Sequence, residues 1–349
     1  MVVDEVRATP QVREVPEPSA PAGGVVVQVM ATGICRSDWH AWAGHDDGVV
    51  FPHVPGHELA GVVVGVGAGV ERWRAGDRVT VPFVCGCGRC AWCLAGNAQV
   101  CPDQQQPGFT HWGSFAELVA LHAADVNLVE LPEQVGFATA AALGCRFATA
   151  YRALVGRARV RPGEWVTVVG AGGIGLSAVM IAHALGARVV AVDRTPAALA
   201  LAAELGAEHT LLTRVPDVSD GTDVPDAVAA LTGGGSHVAL DAVGSEETCT
   251  AAILSLRRRG RHVQVGLLPT HDGPPRVPMA RAIAWELDLL GSHGMAGADY
   301  PEMLALIQDG SLRPDRLVER TVGLEEAARL LPEFDRAPVA GITVVDPVR

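Results

Sequence analysis

The feature that most restricts the fold of this chain is a glycine-rich turn between an apolar strand and an apolar helix. Such a turn bends tightly at its first glycine, lets the backbone approach a pyrophosphate at its second, and packs helix on strand at its third. The helix N-terminus beyond it favours an anion. The turn therefore predicts a dinucleotide site in a parallel sheet covered by helices. Its predicted cofactor contacts are Gly170, Gly172, Gly173, Ile174 and Gly175.

An acidic residue follows this turn at the distance expected for a ribose contact. Asp193 lies at the end of the next predicted strand, 18 residues after Gly175. A carboxylate there binds the 2′-hydroxyl of NAD and repels the 2′-phosphate of NADP. Arg194 lies beside it and would tolerate a phosphate, so NAD is favoured and NADP stays open. In the alternative interpretation, the turn is merely glycine-rich and Asp193 caps a loop.

The pattern of secondary structure changes near residue 147. Before that point, short β-like runs such as Val25–Val29 alternate with turn residues, which indicates a β-rich region. After it, apolar strands alternate with helices, which indicates a parallel sheet. The run Arg257, Arg258, Arg259 and Arg261 is predicted to be a solvated turn between a helix and a strand. With 349 residues, the chain has the length of about two domains.

Charge and composition exclude several function classes. A net charge of −12 disfavours a nucleic-acid surface, because phosphate binding depends on Lys and Arg. No apolar run reaches the length needed to cross a bilayer, and the first residues lack a secretory signal pattern. We therefore expect a cytoplasmic protein with no membrane or nucleic-acid partner.

Four closely spaced cysteines predict a closed metal site. They are Cys87, Cys90, Cys93 and Cys101, within a lobe at residues 85–101. Four thiolates satisfy a tetrahedral Zn²⁺ completely and leave no position for a substrate, so this zinc would be structural. Disulfides are the less suitable explanation in a reducing compartment. Cys85 and Cys249 fall outside the set, and we expect Cys249 to be simply buried.

Three further residues are candidates for an open, catalytic zinc site: Cys35, His57 and Cys145. A Cys₂His set plus a water is the arrangement that leaves a position for a substrate. Each of these residues is weak evidence by itself, because a single buried cysteine or histidine is usually part of the core.

The segments around these residues resemble the medium-chain zinc-dependent alcohol dehydrogenases. Gly56-His57-Glu58-x2-Gly61-x5-Gly67-x2-Val70 is similar to the zinc signature of that family. Cys35-Arg36-Ser37-Asp38-Trp39-His40 resembles its first-ligand segment, and Leu143-Gly144-Cys145 resembles its third. The four-cysteine lobe and the glycine-rich turn occur in the family's order. The resemblance covers essentially the whole chain.

The resemblance implies an α/β fold with two domains. A GroES-like, β-rich catalytic domain would comprise residues 1–146 and 290–349. A doubly wound Rossmann domain of residues 147–289 would bind NAD, and the active site would lie in the cleft. The resemblance also implies a homo-oligomer, either a dimer or a tetramer.

The resemblance further implies roles for individual residues. Cys35, His57 and Cys145 would hold the catalytic zinc, giving two zinc ions per chain with the structural one. Asp38 would orient His57, and Glu58 would lie behind the zinc. Further cofactor contacts would come from Arg36, Thr149 and Val265.

The chemistry explains these residue types. Zinc acts as a Lewis acid on the oxygen of a primary or secondary alcohol, which then loses a hydride to the nicotinamide and becomes an aldehyde or ketone. Ser37 would pass the proton on, and His40 would deliver it to solvent. The alternative for His40 is an ordinary surface histidine.

The sequence departs from the family at one charged position. An arginine after a glycine near the C-terminus commonly balances Glu58 in the family, but here Ile342 follows Gly341. Either another arginine takes over, or the pKa of Glu58 is raised by desolvation.

The sequence indicates only a few residues of the substrate pocket. Phe83 resembles a pocket-lining aromatic residue of the family. Trp112, with Trp39, could narrow the pocket and favour flat or aromatic alcohols, but a tryptophan that simply packs is an equal alternative.

Three other functions stay open. A polyol or amino-alcohol dehydrogenase of the same superfamily is the first, although sugar-alcohol members usually offer a glutamate where Cys145 stands. The second is a zinc-free quinone or enone reductase, although such relatives lack this ligand set. The third is a non-catalytic NAD(H)-binding relative.

Overall fold

The computed structural model describes residues 1–213, 223–268, 273–336 and 341–349. These residues form two compact units. The first comprises Met1–Ala148 and Gly294–Arg349, and the second comprises Thr149–His293.

The N-terminal part of the first unit consists of short strands and short helices. In chain order these are β1 (Val25–Gly33), α1 (Arg36–Trp42), β2 (Glu58–Val66), β3 (Arg78–Thr80), α2 (Ala91–Leu94), β4 (Leu118–Leu121), α3 (Ala124–Asn127), β5 (Val129–Glu130) and α4 (Phe137–Ala141). A 3₁₀ turn at Ala98–Val100 and a π-helix at Leu143–Phe147 complete this part.

The second unit begins within α5 (Ala148–Tyr151) and continues with a π-helix at Arg152–Arg157. Its elements are β6 (Trp165–Val169), α6 (Gly173–Ala184), β7 (Arg188–Asp193), α7 (Pro196–Glu204), β8 (His209–Leu212), α8 (Val224–Thr232), β9 (Ser236–Asp241), α9 (Glu246–Leu254), β10 (Leu256–Gln264), α10 (Met279–Trp285) and β11 (Asp288–Gly291).

The chain then returns to the first unit. The returning elements are a 3₁₀ turn at Gly297–Asp299, α11 (Tyr300–Gln308), a 3₁₀ turn at Pro314–Leu317, β12 (Val318–Val322), α12 (Leu324–Glu333) and β13 (Ile342–Val345).

The sheet of the first unit is mainly antiparallel. Its strand order is β12-β13-β1-β2-β3-β5, and β4 also pairs with β1. Val25, Val27 and Val29 of β1 are fully buried and pack on the buried side chains of β2 and β4. The returning strand β13 pairs with the end of β1, with Gly33 opposite Val344. The antiparallel pairing of β1 with β2 sets Gly33 opposite Glu58, so that the end of β1 lies beside the start of β2, just before α1 begins.

The sheet of the second unit is parallel throughout its described strands. Its order is β11-β10-β9-β6-β7-β8, with helices in the connections. Every residue of β6 is buried, as expected for a strand covered on both faces. Because β7 and β9 flank β6 on opposite sides, the carboxyl end of β6 is the switch point at which such folds bind ligands. The predicted fold class, a GroES-like β-rich part with a parallel Rossmann sheet, is confirmed.

One expectation about local structure is wrong. The arginine run predicted to be a turn lies inside β10, where the pairing with β9 is irregular between Leu256 and Arg261. Arg259 has a left-handed backbone with φ of 59°, which marks the irregularity. Arg261 pairs with Glu164 at 2.5 Å, and Arg258 lies over the Trp285 ring.

Among the described helices, none is both long enough and apolar enough to span a membrane.

Candidate metal centres and dinucleotide turn

Side chains from three separate elements of the first unit converge on one buried point. Cys35 lies at the start of α1, His57 directly precedes β2, and Cys145 lies in the π-helix. One ligand atom from each of these residues and one carboxylate oxygen of Glu58 all lie within 4.8 Å of one another. A π-helix in this position is typical of functional sites.

Asp38 holds this group together. Its Oδ1 lies 2.9 Å from Nδ1 of His57 and accepts the backbone N–H of Gly56, while its Oδ2 accepts the backbone N–H of Cys35 at 2.8 Å. The carboxylate therefore fixes the His57 ring and the backbone of both Cys35 and Gly56 at once. Asp38 and His57 are both completely buried.

The second ring nitrogen of His57, Nε2, is suited to bind a metal cation at the point where the three side chains converge. Nε2 is buried and has no hydrogen-bond partner among the described residues. An unpaired buried polar atom costs about 1–3 kcal/mol. A metal ion held by Nε2 and the two cysteine sulfurs would remove this cost, and Asp38 already supplies the outer hydrogen bond typical of a metal-bound histidine. The donor set fits zinc.

The electrostatics of the site also favour a cation. Burial lowers the pKa of His57, but the charge and hydrogen bond of Asp38 outweigh this and raise it well above its usual value. The hydrogen bond with Cys145, followed by the charges of Arg146 and His57, lowers the pKa of Cys35 despite its burial. The thiolate form of Cys35, which is the form that binds metals, is thereby favoured, whereas the same contact, followed by burial, raises the pKa of Cys145 well above its usual value.

Arg146 is the charged partner of Glu58 that the sequence left undetermined. Its Nε donates to Oε1 of Glu58 at 2.8 Å, a terminal nitrogen pairs with Oε2, and its own backbone N–H also donates to Oε1. Both side chains are buried. Burial still raises the pKa of Glu58, against the opposing charge of Arg146. Gly33 lies alongside the Glu58 carboxylate. Glycine is required at this position, because a Cβ there would collide with the carboxylate.

The four-cysteine group forms a second, separate cluster in the first unit. The sulfurs of Cys87, Cys90, Cys93 and Cys101 all lie within 4.8 Å of one another. The Cys90 and Cys101 sulfurs are 3.7 Å apart. Zn–S bonds of about 2.3 Å in a tetrahedron place sulfurs about 3.8 Å apart. Backbone N–H groups of Cys87 and Cys93 point at sulfurs of the set. The arrangement fits one zinc ion with no open position.

The remaining two cysteines belong to neither cluster. Cys85 is buried in the core of the first unit, where burial raises its pKa to about 12. Cys249 lies in α9 and is 2% exposed.

Polar residues of α1 extend outward from the first cluster. The Ser37 hydroxyl lies 3.8 Å from the Cys35 sulfur. His40, one turn further, contacts His45 through their Nδ1 atoms at 2.9 Å. The sequence analysis missed His45. Arg36, predicted to reach the cofactor, pairs with Asp335 at 2.7 Å in this structure.

Two aromatic rings lie against His57. The ring centroid of Phe83 is 6.0 Å from that of His57, and the centroid of Phe109 is 5.2 Å away. The sequence analysis missed Phe109. Trp112 is 41% exposed, and its indole N–H donates to the carbonyl of Pro52. Trp39 is half-buried, with its ring edge-on to His40 and His45.

The glycine-rich turn of the second unit has the backbone expected of a pyrophosphate site. Gly170 has φ of 92°, which favours glycine, and a Cβ on Gly175 would overlap the Gly170 carbonyl. A Cβ on Gly172 would meet no protein atom within 4 Å, so open space lies above the turn. Gly173 and Ile174 begin α6.

The acidic residue beyond the turn is already connected to it. Asp193 accepts the Ala171 N–H at 2.6 Å and the Thr195 N–H at 2.7 Å. Arg194 is exposed, and Thr149 is buried in α5. The Val265 N–H donates to the Asp241 carbonyl, which joins the ends of β9 and β10.

Two family models match the chain. The "Alcohol dehydrogenase GroES-like domain" matches residues 21–133, and "Zinc-binding dehydrogenase" matches residues 173–309.

Curated relatives match over nearly the whole length. An alcohol dehydrogenase of Moraxella sp. (strain TAE123) is 37% identical over 349 residues, which covers 99% of this chain and 98% of the relative. An alcohol dehydrogenase of Geobacillus stearothermophilus is 32% identical over 348 residues, covering 99% and 97%.

Solved structures show the same similarity. An NAD-dependent alcohol dehydrogenase superimposes with a TM-score of 0.87 at 31% identity, covering 99% of this chain and 98% of the other.

Proposed function

This chain belongs to the medium-chain zinc-dependent alcohol dehydrogenase family, and from that premise we propose that it oxidises a primary or secondary alcohol with NAD and also runs the reverse reduction. The observation that carries the proposal is the buried group of Cys35, His57 and Cys145, with Nε2 of His57 facing it unpaired. A dinucleotide turn is present in the same chain. The Asp38 carboxylate gives this group one rigid arrangement.

The protein's own residues prepare the site in three ways. Cys35, His57 and Cys145 would hold the zinc, which supplies Lewis acidity toward the substrate oxygen when bound. Asp38 keeps the proton on Nδ1 of His57, which leaves Nε2 to bind the metal. Arg146 holds both oxygens of Glu58, so that this carboxylate already has a charged partner and does not depend on the metal for one.

We assign the second cluster a structural zinc, which makes two zinc ions per chain. Cys87, Cys90, Cys93 and Cys101 offer four sulfurs at tetrahedral separation and no further ligand position. A site of this kind stabilises the fold of the lobe and takes no part in the reaction.

The proton released by the alcohol would leave along α1. Ser37, close to the ligand Cys35, is the first hydroxyl on that route, and His40 receives the proton near the surface. Histidine suits this role because it titrates near neutral pH.

Cofactor binding is assigned to the glycine turn and its surroundings. Gly170, Gly172, Gly173, Ile174 and Gly175 would contact the pyrophosphate, Asp193 the ribose, and Thr149 and Val265 the nicotinamide end. Arg36 would leave its ion pair with Asp335 and bind the pyrophosphate instead. Breaking this pair costs little free energy, because both side chains are half-exposed and exposed ion pairs contribute little to stability. Asp193 favours NAD, and exposed Arg194 leaves NADP as a second cofactor.

The substrate is assigned from the rings near His57. Phe83 and Phe109 place two aromatic rings beside the candidate ligand His57, and these apolar surroundings favour flat, apolar alcohols. Trp112 would lie further out, since it is 41% exposed.

The family's domain division and assembly are carried over as part of the proposal. We place the catalytic domain at residues 1–146 and 290–349 and the Rossmann domain at 147–289. We also propose a homo-oligomer, a dimer or a tetramer. Strand β11 pairs with a described strand on one side only, and the exposed Met279 and Ile283 lie in α10, which directly precedes it. A second copy of the chain would cover such an edge.

The test is NADH formation from a panel that contains ethanol, 2-propanol, cyclohexanol and benzyl alcohol. We expect benzyl alcohol to have the highest kcat/KM and NAD to be preferred over NADP. Cys35→Ser should abolish turnover and leave NADH binding intact, while Cys249→Ser, outside both clusters, should behave like the parent. Turnover by Cys35→Ser at the parent's rate would refute the proposed zinc site.

A further inference from the structure

Two histidines at the end of α1 form a direct pair. Nδ1 of His40 and Nδ1 of His45 are 2.9 Å apart. The backbone supports this contact, because the His45 N–H donates to the His40 carbonyl at 2.9 Å. Gly44, with φ of 79°, makes the turn that brings the second ring back over the first. The Trp39 ring lies edge-on to both imidazoles.

A contact between two Nδ1 atoms has a definite consequence for protonation. A neutral imidazole carries one N–H, so one ring must donate and the other accept. Nε2 of His40 and Nε2 of His45 are then the two outer ends of one hydrogen-bonded unit. Since His40 is half-buried and His45 is exposed, these ends differ in their access to water.

We propose that His45 is the last member of the proton route, taking the proton from His40 and releasing it to solvent. The inference rests on the proposed function, and it assigns a role to a residue on which that function does not depend. His45 acts through His40, so it is a positioning and proton-exit residue, distinct from the groups that touch the substrate.

The proton balance of this step closes. The pair starts with His40 donating its Nδ1 proton to Nδ1 of His45. A proton arriving at Nε2 of His40 makes that ring a cation, its Nδ1 proton crosses to His45, and His45 loses its Nε2 proton to water. One proton enters and one leaves, and both rings end neutral with exchanged tautomers. When the exposed His45 ring moves away from His40, each imidazole takes one proton from water and gives one back, so the starting tautomers return with no net proton transfer before the next turnover.

The surroundings of His40 favour its neutral form, which is the form that can accept a proton. Burial, then His45 and Arg36, lower the pKa of His40, while Cys35 and Asp335 oppose them. These groups come from α1 and from the end of α12, and Asp46 and Asp47 follow His45 on its own loop. Removing His45 removes one repulsive contribution, which should raise the pKa of His40.

The experiment compares the parent with His45→Ala and with Asp47→Asn, a charge change two residues away on the same exposed loop. The kcat/KM for alcohol oxidation is measured from pH 5.5 to 9 in non-imidazole buffers, and again with added imidazole. Alcohol oxidation needs neutral His40, so its rate falls at low pH. We expect His45→Ala to shift this fall to higher pH and to lower the rate on the order of ten-fold. Imidazole should restore the rate, and Asp47→Asn should match the parent.

The possible results are distinct. A His45→Ala profile identical to that of the parent, with no response to imidazole, overturns the proton-exit role and leaves the proposed function intact. A lower rate without a pH shift or imidazole rescue also overturns it, because a purely structural residue would give that result. A parent protein that binds zinc and NADH and oxidises no alcohol defeats the proposed function, and the proton-exit role with it.

Discussion

At the scale of single residues, two charged contacts control the buried centre. Asp38 joins His57 to the backbone of Cys35 and Gly56, so one carboxylate positions two candidate ligands. Arg146 neutralises Glu58 from the position directly after the candidate ligand Cys145. The π-helix thus supplies a candidate metal ligand and the counter-charge of Glu58 on consecutive residues.

The pair of Glu58 and Arg146 leads to a stability prediction. Removing one member of a buried ion pair leaves the other charge buried without a partner, which costs about 3–5 kcal/mol. We expect Arg146→Met to lose this much free energy of unfolding, and Glu58→Gln combined with Arg146→Met to recover part of it. Urea unfolding followed by tryptophan fluorescence measures both.

A surface pair gives the matched control. Arg13 and Asp4 form a similar two-pronged contact on the exposed surface. Arg13→Met should change the unfolding midpoint little, because solvent screens such a pair. If Arg146→Met and Arg13→Met lost equal free energies of unfolding, the buried pair would stabilise the protein no more than the exposed pair does.

At the scale of elements, the turn from β6 to α6 separates two roles of glycine. A Cβ on Gly175 would overlap the Gly170 carbonyl, whereas a Cβ on Gly172 would enter open space. The first glycine is therefore required by the protein's own packing, and the second by the ligand that the open space accepts.

This difference predicts opposite results for two alanine substitutions. Gly175→Ala should destabilise the protein by about 1–3 kcal/mol through overpacking and also weaken NADH binding. Gly172→Ala should unfold at the parent's temperature and still bind NADH more weakly, because its methyl group occupies the pyrophosphate position. Thermal unfolding and NADH fluorescence titration measure the two effects. Parent-like NADH affinity in Gly172→Ala would contradict the assigned anion site.

Elements were predictable where periodicity and glycine chemistry agree, as at β6, α6 and β7. They were not predictable where tertiary pairing decides. The arginine run in β10 has no strand-like pattern, yet it leads directly into Arg261, which pairs with β9 on one side and with β11 on the other. The π-helix at Leu143–Phe147 also has no recognised sequence signature, so the placement of Arg146 beside Glu58 could not be derived before the structure.

At the scale of the whole molecule, the order of motifs predicted the fold class and the family, which the structure and the comparisons confirm. The four-cysteine set was identifiable from its spacing, whereas Cys35, His57 and Cys145 were identifiable as candidate ligands because the segments around them resemble the family. Phe109 and His45 were missed because aromatic and surface residues acquire a role only through their neighbours. Arg146 had a usable signal, its position next to Cys145, although only the structure connects it to Glu58.

The central claim is that this chain holds two zinc ions, one in an open site and one in a closed site. Zinc per chain, measured by elemental analysis on protein purified without chelator, tests it most directly. We predict two zinc ions in the parent and one each in Cys145→Ser and Cys93→Ser, with NADH binding kept in all three. A parent with a single zinc ion, or a Cys145→Ser variant that keeps both, would contradict it.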